Sequence, residues 1–303
     1  MRRAGRIALR VALVAIVAVF IWRSLARNWD EFSAIEFELH LKPEWILLSV
    51  LVVWATYAIQ IASWRTILAG WQQRIAYRDA ARAWCLANLG RYVPGKLWSI
   101  AGLVVLAQRA GVAGWAAGAS AVVVQAVGVA TGVILVAAAL RPGTFAVGLS
   151  VAAAVATGTL ALLAWDRAVQ WLARMIGRTG ELRALPVATV LAAGTLTLLS
   201  WVTYGVAFWC LAQGLGVEGL SLPVAAGVFA LGYLIGLMAV FVPGGIGVRE
   251  LAYIGQLAPL VGSGPAIGLS VASRLLLTLT EVTAALGAAA LAGRDGDDTG
   301  GTG

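Results

Sequence analysis

Few side chains in this chain can do chemistry, and most of those gather around two breaks in otherwise apolar sequence. The first break is Arg91-Tyr92-Val93-Pro94-Gly95-Lys96, and the second is Phe241-Val242-Pro243-Gly244-Gly245-Ile246-Gly247-Val248-Arg249-Glu250. Arg274 and Glu281 follow, seven residues apart and therefore two turns along one helix face. Lys96, Arg249, Glu250, Arg274 and Glu281 fall in or beside segments apolar enough to enter a bilayer. Each such charge costs roughly 2.5–3.5 kcal/mol at mid-membrane on insertion scales, so these ions must be paired or must serve a ligand. The pattern suits anion binding. A helix restarting after Pro243-Gly244-Gly245 presents free N–H groups and the positive end of its dipole to the break. Arg249 in its first turns adds a fork matched to phosphate, and Arg91 and Lys96 flank the restart after Pro94-Gly95.

Glu250 and Glu281 have two functional roles open to them, orienting the arginines or carrying a proton. A purely structural role is open as well, in which they neutralise Arg249 and Arg274 to fix helix packing, while Arg91 and Tyr92 anchor at the interface by snorkelling. The candidate site is thus Arg91, Pro94, Gly95, Lys96, Pro243, Gly244, Gly245, Arg249, Glu250, Arg274 and Glu281.

Other chemistries find little support. His40 is the one histidine, and no His/Cys cluster has metal-ligand spacing, so no metal and no cofactor are expected. Asp297-Asp298 has nothing around it to shape a metal–phosphate site. Neither a nucleotide-binding glycine loop nor a G-x-S-x-G nucleophile turn occurs. No nucleophile–base pair is visible, and the chain does not read as an enzyme. Cys85 and Cys210 stand in apolar surroundings and read as inert thiols.

The elements that must position the candidate residues follow from composition. The chain is 61% hydrophobic and 12% charged, which belongs to a polytopic membrane protein. Its net charge of +8 comes from basic residues between apolar spans, where topology and anionic lipid account for it and nucleic acid does not. Hydrophobic segments of crossing length run near 7–27, 44–68, 112–139, 144–165, 187–213 and 265–292. The first of these follows a charged start as a signal peptide would, but arginines on both sides make Ser24-Leu25-Ala26 a poor cleavage site, so an uncleaved span is expected. Segments 80–110 and 223–261 contain the breaks. Each arm of the first is only about 14–16 residues, or ~24 Å at 1.5 Å per residue, short for a crossing and suited to a re-entrant hairpin.

The expected fold is an all-α bundle of about six transmembrane helices plus two re-entrant helical hairpins. Aligned on Pro94 and Pro243, an offset of 149, the halves match without a gap: Gln125 falls on Arg274 and Thr131 on Thr280. Residues 1–292 are expected to form one membrane domain, with repeat halves about 80–140 and 229–292, ahead of a disordered tail at 293–303. Loop charge gives orientation. Arg2, Arg3 and Arg6 place the start in the cytoplasm, Glu31, Glu36 and Glu38 place loop 28–43 outside, and Arg65, Arg74, Arg78 and Arg82 return the chain inside. Arg167, Arg174, Arg178 and Arg183 mark a cytoplasmic linker with a surface helix, Glu218 lies outside, and Arg294 brings the end inside. Three crossings then separate the hairpins, which enter from opposite faces as an inverted repeat. Tryptophans at 22, 29, 45, 84, 98, 115, 165 and 171 read mostly as interfacial anchors, and the GxxxG spacings at Gly114/Gly118, Gly128/Gly132 and Gly232/Gly236 as close helix packing.

Asn88-Leu89-Gly90-Arg91-Tyr92-Val93-Pro94-Gly95-Lys96, Pro243-Gly244-Gly245-Ile246-Gly247-Val248-Arg249-Glu250 and Ser273-Arg274-Leu275-Leu276 resemble the lysylphosphatidylglycerol synthase transmembrane-domain family, also called flippase-like. The resemblance spans roughly residues 10–292. It implies an integral protein of the bacterial or archaeal cell membrane that moves lipids or lipid-linked sugars between leaflets. The namesake enzymes carry an additional soluble aminoacyl-transfer domain that has no counterpart in these residues. The reading at this stage is a lipid translocase, not driven by ATP, for an anionic phospholipid or a polyprenyl-phosphate-linked glycolipid. The rival is a membrane scaffold that recruits a glycosyltransferase or lipid-synthesis enzyme through linker 166–183.

Overall fold

A computed structural model describes residues 41–92, 97–139, 142–175, 183–239, Gly245 and 247–294. These residues form ten α-helices: α1 (Pro43–Gly70), α2 (Tyr77–Asn88), α3 (Leu97–Arg109), α4 (Gly114–Ala138), α5 (Pro142–Ala164), α6 (Asp166–Met175), α7 (Val187–Gly214), α8 (Leu222–Met238), α9 (Val248–Val261) and α10 (Ser263–Arg294). A 3-10 turn, Leu89–Tyr92, extends α2. Five helices are long and apolar enough to cross a membrane, within α1, α4, α5, α7 and α10. They coincide with five of the six expected spans, and the chain is a multi-pass, all-helical membrane protein. The sixth span, 7–27, lies outside the described residues, as do loop 28–40 and residues 295–303.

The helices flanking the breaks are short. α2 and α3 have 12 and 13 residues, and α8 and α9 have 17 and 14. At 1.5 Å per residue none exceeds about 26 Å, less than the ~30 Å of a bilayer core. α2 packs on α3, and α8 on α9, so each break is the tip of a helical hairpin.

The halves are related by a rotation that the hydrogen bonds make visible. α1 and α7 are each 28 residues long, and Tyr57 of α1 stands at the same register as Trp201 of α7. They run antiparallel: the Lys42 N–H donates to Gly214 O (2.9 Å), Ser49 Oγ to Ala207 O (2.6 Å), Thr56 Oγ1 to Thr203 Oγ1 (2.8 Å), and Ser63 Oγ to Ala193 O (3.0 Å). Small hydroxyl residues let the two backbones approach while satisfying their own polar groups across the contact. Each central aromatic then reaches into the other half. The Tyr57 hydroxyl lies 3.0 Å from Thr280 Oγ1 on α10, and Trp201 Nε1 lies 3.2 Å from Thr131 Oγ1 on α4. Thr131 and Thr280 are the residues that the sequence offset matches. Likewise α4 packs on α8 and α10 on α2, each long helix bracing the opposite hairpin. Equivalent antiparallel helices require a pseudo-two-fold axis perpendicular to them, which for membrane-crossing helices lies in the membrane plane.

The core is aromatic on the second-hairpin side. Tyr204 stacks on Phe229 (centroids 4.9 Å), and Phe208 meets both Phe229 (5.8 Å) and Tyr253 (5.2 Å). Gly232 makes room for that packing, since a Cβ there would lie 2.2 Å from Tyr253 Cε1. Trp84 departs from the interfacial expectation. It is 8% exposed and packs against Trp64 (6.0 Å), because α2 turns inward towards α1 and α10. Trp98, Trp165 and Trp171 are exposed.

Candidate functional site

The site is built where the two hairpins meet α10. α10 offers Ser270, Arg274, Thr278 and Glu281 along one face, at the three- and four-residue spacing of a helix. Arg274 and Glu281 share that face but do not pair with each other. Each turns to a different hairpin. Arg91 Nη1 donates to Glu281 Oε1 (2.7 Å), and the Tyr92 hydroxyl donates to Glu281 Oε2 (2.7 Å). Arg274 Nε donates to Glu250 Oε1. Glu281 is 4% exposed, so its charge depends on this pairing.

Tyr92 and Arg91 therefore do not snorkel. The 3-10 turn curls their side chains inward, Tyr92 is buried, and Arg91 is also steadied through Nη2 to Asn88 Oδ1 (3.1 Å).

The start of α9 differs from the sequence expectation in a second way. The helix restarts at Val248, behind Gly247 at φ +80°, and Glu250 Oε2 accepts from the Gly247 N–H (2.7 Å). Glu250 thus meets the positive end of its own helix with a carboxylate. The anion-binding capacity passes from the backbone to Arg249. That side chain lies over Phe229, Tyr233 and Tyr253, with centroids 5.0, 5.8 and 5.2 Å from Cζ, and its Nε donates to Tyr253 OH (2.8 Å). Its Nη2 is buried without a hydrogen-bond partner among the described residues. No ion pair of Arg249 occurs among the described residues. It is held by aromatic faces and a phenol, which fix a guanidinium in place without cancelling its charge.

Arg91 and Arg249 border two spaces. A small polar one of about 30 Å³ lies between the ion pairs, lined by both carboxylates together with Ser270 and Thr278, and is large enough for a water molecule. The other, about 370 Å³ and partly open, is lined by α1, α2, α3, α4, α7, α8, Gly245 and the start of α9. Its wall has two guanidiniums, the amides of Gln60, Asn88 and Gln125, the hydroxyls of Ser63, Ser99 and Thr197, and four aromatic rings. Among the described residues no carboxylate lines it. Among the described residues the acids line the smaller space on the other side of the arginines, so the large cavity is cationic, and its amides and hydroxyls can both donate and accept.

Gly245 belongs to the same construction. It is buried at φ +67°, and a Cβ there would lie 2.9 Å from Gly236 Cα and 3.2 Å from Gly236 O. Gly245 thus presses on α8 backbone to backbone at Gly236, the residue that also faces Arg249.

Of the candidate residues, Arg91, Gly245, Arg249, Glu250, Arg274 and Glu281 come together here, whereas Pro94, Gly95, Lys96, Pro243 and Gly244 lie outside the described residues. Sequence reasoning singled out Gln125 through the repeat but missed Gln60, Trp84, Tyr204 and Tyr233 as cavity walls. Gln60 carried a signal, being the only amide in the apolar run from Trp45 to Trp64.

Comparison with curated proteins gives no match. The sequence model of one family does match, over residues 7–285, and so covers both hairpins, the helix that joins their ion pairs and the cavity between them. On that match the chain belongs to the family of the lysylphosphatidylglycerol synthase TM region.

Proposed function

We propose that this protein is a lipid translocase of the cell membrane, moving a phosphate-bearing headgroup between leaflets without ATP. One observation carries the reading: two guanidiniums from opposite hairpins, Arg91 and Arg249, face a cavity of about 370 Å³ lined by no carboxylate among the described residues. An anionic headgroup entering hydrocarbon unaided would lose its hydration with nothing in return. In the cavity it meets two fixed cations and a polar wall while its acyl or prenyl tails remain in lipid. Arg249 does most, since its unpaired Nη2 needs an acceptor. Arg91 stays tethered to Glu281, so a phosphate at Arg91 shares that cation with the carboxylate. The arms around the cavity are too short to cross, which keeps polar backbone and water-accessible space at membrane depth, where a headgroup path requires them. In this reading the chain is a carrier and not an enzyme, its partner is the lipid, and both termini face the cytoplasm.

The test is lipid movement in vesicles reconstituted with the purified protein and a fluorescent phosphatidylglycerol, read by quenching from outside. Arg249→Gln strands no carboxylate, so it should fold normally and cut the rate at least tenfold. Wild-type rates in that variant would remove the basis of the proposal.

A further inference from the structure

The two spaces that Arg91 and Arg249 border are counterparts under the pseudo-two-fold axis. α4 begins at Gly114 and α10 at Ser263, which is the offset of 149 that aligns the two breaks. By that offset Ala121, Gln125, Gly128 and Val129 of α4 match Ser270, Arg274, Leu277 and Thr278 of α10. The first four line the large cavity and the second four line the small space. One face of the repeat is therefore open to about 370 Å³ in one half and closed down to about 30 Å³ in the other. Ala121 and Ser270 each stand seven residues into helices that the axis makes antiparallel, so the two spaces belong to opposite sides of the membrane midplane.

The halves differ in what ties the long helix to the hairpins. Around the small space α10 is held to the first hairpin by Arg91–Glu281 and to the second by Arg274–Glu250. The offset carries Arg91 and Glu281 to Val240 and Gly132, and Arg274 and Glu250 to Gln125 and Ala101. None of these four is charged, so neither ion pair can have an equivalent on the α4 side. Parting a buried pair leaves two uncompensated charges, which is costly, whereas parting apolar residues and an amide in a membrane is not. Two like halves packed about an axis have a second arrangement in which their conformations are exchanged. The one-sided charges tilt that equilibrium towards the arrangement in which the α10 side is shut.

Resting on the translocase reading, we infer that Arg91–Glu281 and Arg274–Glu250 are a latch that holds shut the α10 counterpart of the large cavity. In the exchanged state the latch parts, α10 moves off the hairpins to open the small space, and α4 closes over the large cavity. Loop charge puts the start of α4 in the cytoplasm, so the latched state is the inward-facing one.

The test reads the exchange without measuring transport. Ser270→Cys places a thiol on the small space, in protein whose Cys85 and Cys210 are replaced by alanine, and a small water-soluble methanethiosulfonate is added in detergent. Ser270 is 1% exposed, so the thiol should react slowly while the latch is intact. Glu281→Gln should raise its labelling rate roughly tenfold or more, as expected if the minor state gains population by that factor. Arg91→Gln with Glu281→Gln strands no charge, should do the same, and serves if the single variant folds poorly. A third change separates a latch from mere loosening. Gly128 lines the large cavity with nothing within 4 Å of its Cβ position, so Gly128→Phe fills that cavity and keeps α4 from closing. Added to either latch variant, it should cut labelling at position 270 at least threefold. Unchanged labelling in both latch variants, or a rise that Gly128→Phe leaves undiminished, overturns the latch while the headgroup reading stands. Labelling that follows the latch in a protein that moves no lipid would uphold the latch and remove the translocase reading, so the two fail separately.

Discussion

Substituting Gly245 by alanine tests whether the second break is a fixed part of the site or merely a joint between helices. Two costs follow from the structure. At φ +67° an L-residue bears about 1–2 kcal/mol of steric strain that glycine avoids. The added Cβ would also lie 2.9 Å from Gly236 Cα and 3.2–3.3 Å from its carbonyl atoms, all of them backbone, so no side chain can rotate away. Relief requires α8 and the break to part by ~0.5–1 Å, at the ~1–3 kcal/mol typical of overpacking. The sum is about 2–5 kcal/mol. Because Gly236 also faces Arg249, with a hypothetical Cβ 3.4 Å from Arg249 Cβ, the same separation displaces the guanidinium from the cavity wall.

Gly245→Ala should therefore unfold at lower temperature in detergent and also lose most lipid movement per folded molecule. Gly194→Ala is the control. It lies in α7 with nothing within 4 Å of its Cβ position, so it should be neutral or gain about 0.5–1 kcal/mol. A Gly245→Ala protein as stable as wild type would refute the steric reasoning. One that is less stable yet fully active would show that the break only packs helices.

Glu281→Ala strands Arg91 and should cost about 3–5 kcal/mol in detergent unfolding, whereas Arg91→Met with Glu281→Leu should recover much of that stability and still fail to move lipid. Glu250→Ala frees the Gly247 N–H and removes a charged partner of Arg274, so it should lower both melting temperature and transport, and Arg274→Ala should likewise abolish transport; activity surviving both changes argues against a role for this pair. Tyr57→Phe and Thr131→Val remove the two reciprocal bonds across the pseudo-two-fold axis, and each should cost roughly 0.5–1.5 kcal/mol, additively if the contacts are independent. Cysteines placed at Glu36 and Arg78 should label from opposite sides of the membrane, and those at Arg178 and Glu218 likewise; labelling of positions 36 and 78 from one side contradicts the inverted arrangement. Neutralising Arg167, Arg174, Arg178 and Arg183 together should leave vesicle transport intact, and its loss would favour the scaffold reading.

The spans, the breaks and the charged residues were legible in the sequence because each rests on a local cost. Twenty apolar residues in a row, a proline inside them, or an arginine beside them carries the same energetic meaning wherever the chain goes next. Five helices accordingly stand where hydropathy put them, and Thr131 and Thr280 are equivalent by count and again in their bonds. Partner choice was not legible. Arg274 and Glu281 share one face of α10 two turns apart, and only the approach of two hairpins from different directions sends one to Glu250 and the other to Arg91. Glu250 reads as a partner for the arginines or a proton carrier, and only the turn at Gly247 brings that N–H to it as well. Trp84 reads as an anchor until α2 packs inward and puts it in the wall of a cavity. Local sequence fixes what a charge or ring would cost in lipid. Which group offsets that cost depends on contacts made in three dimensions, between Arg91 and Glu281 across 190 positions and between Arg274 and Glu250 across 24, and those exist only once the hairpins have packed against α10.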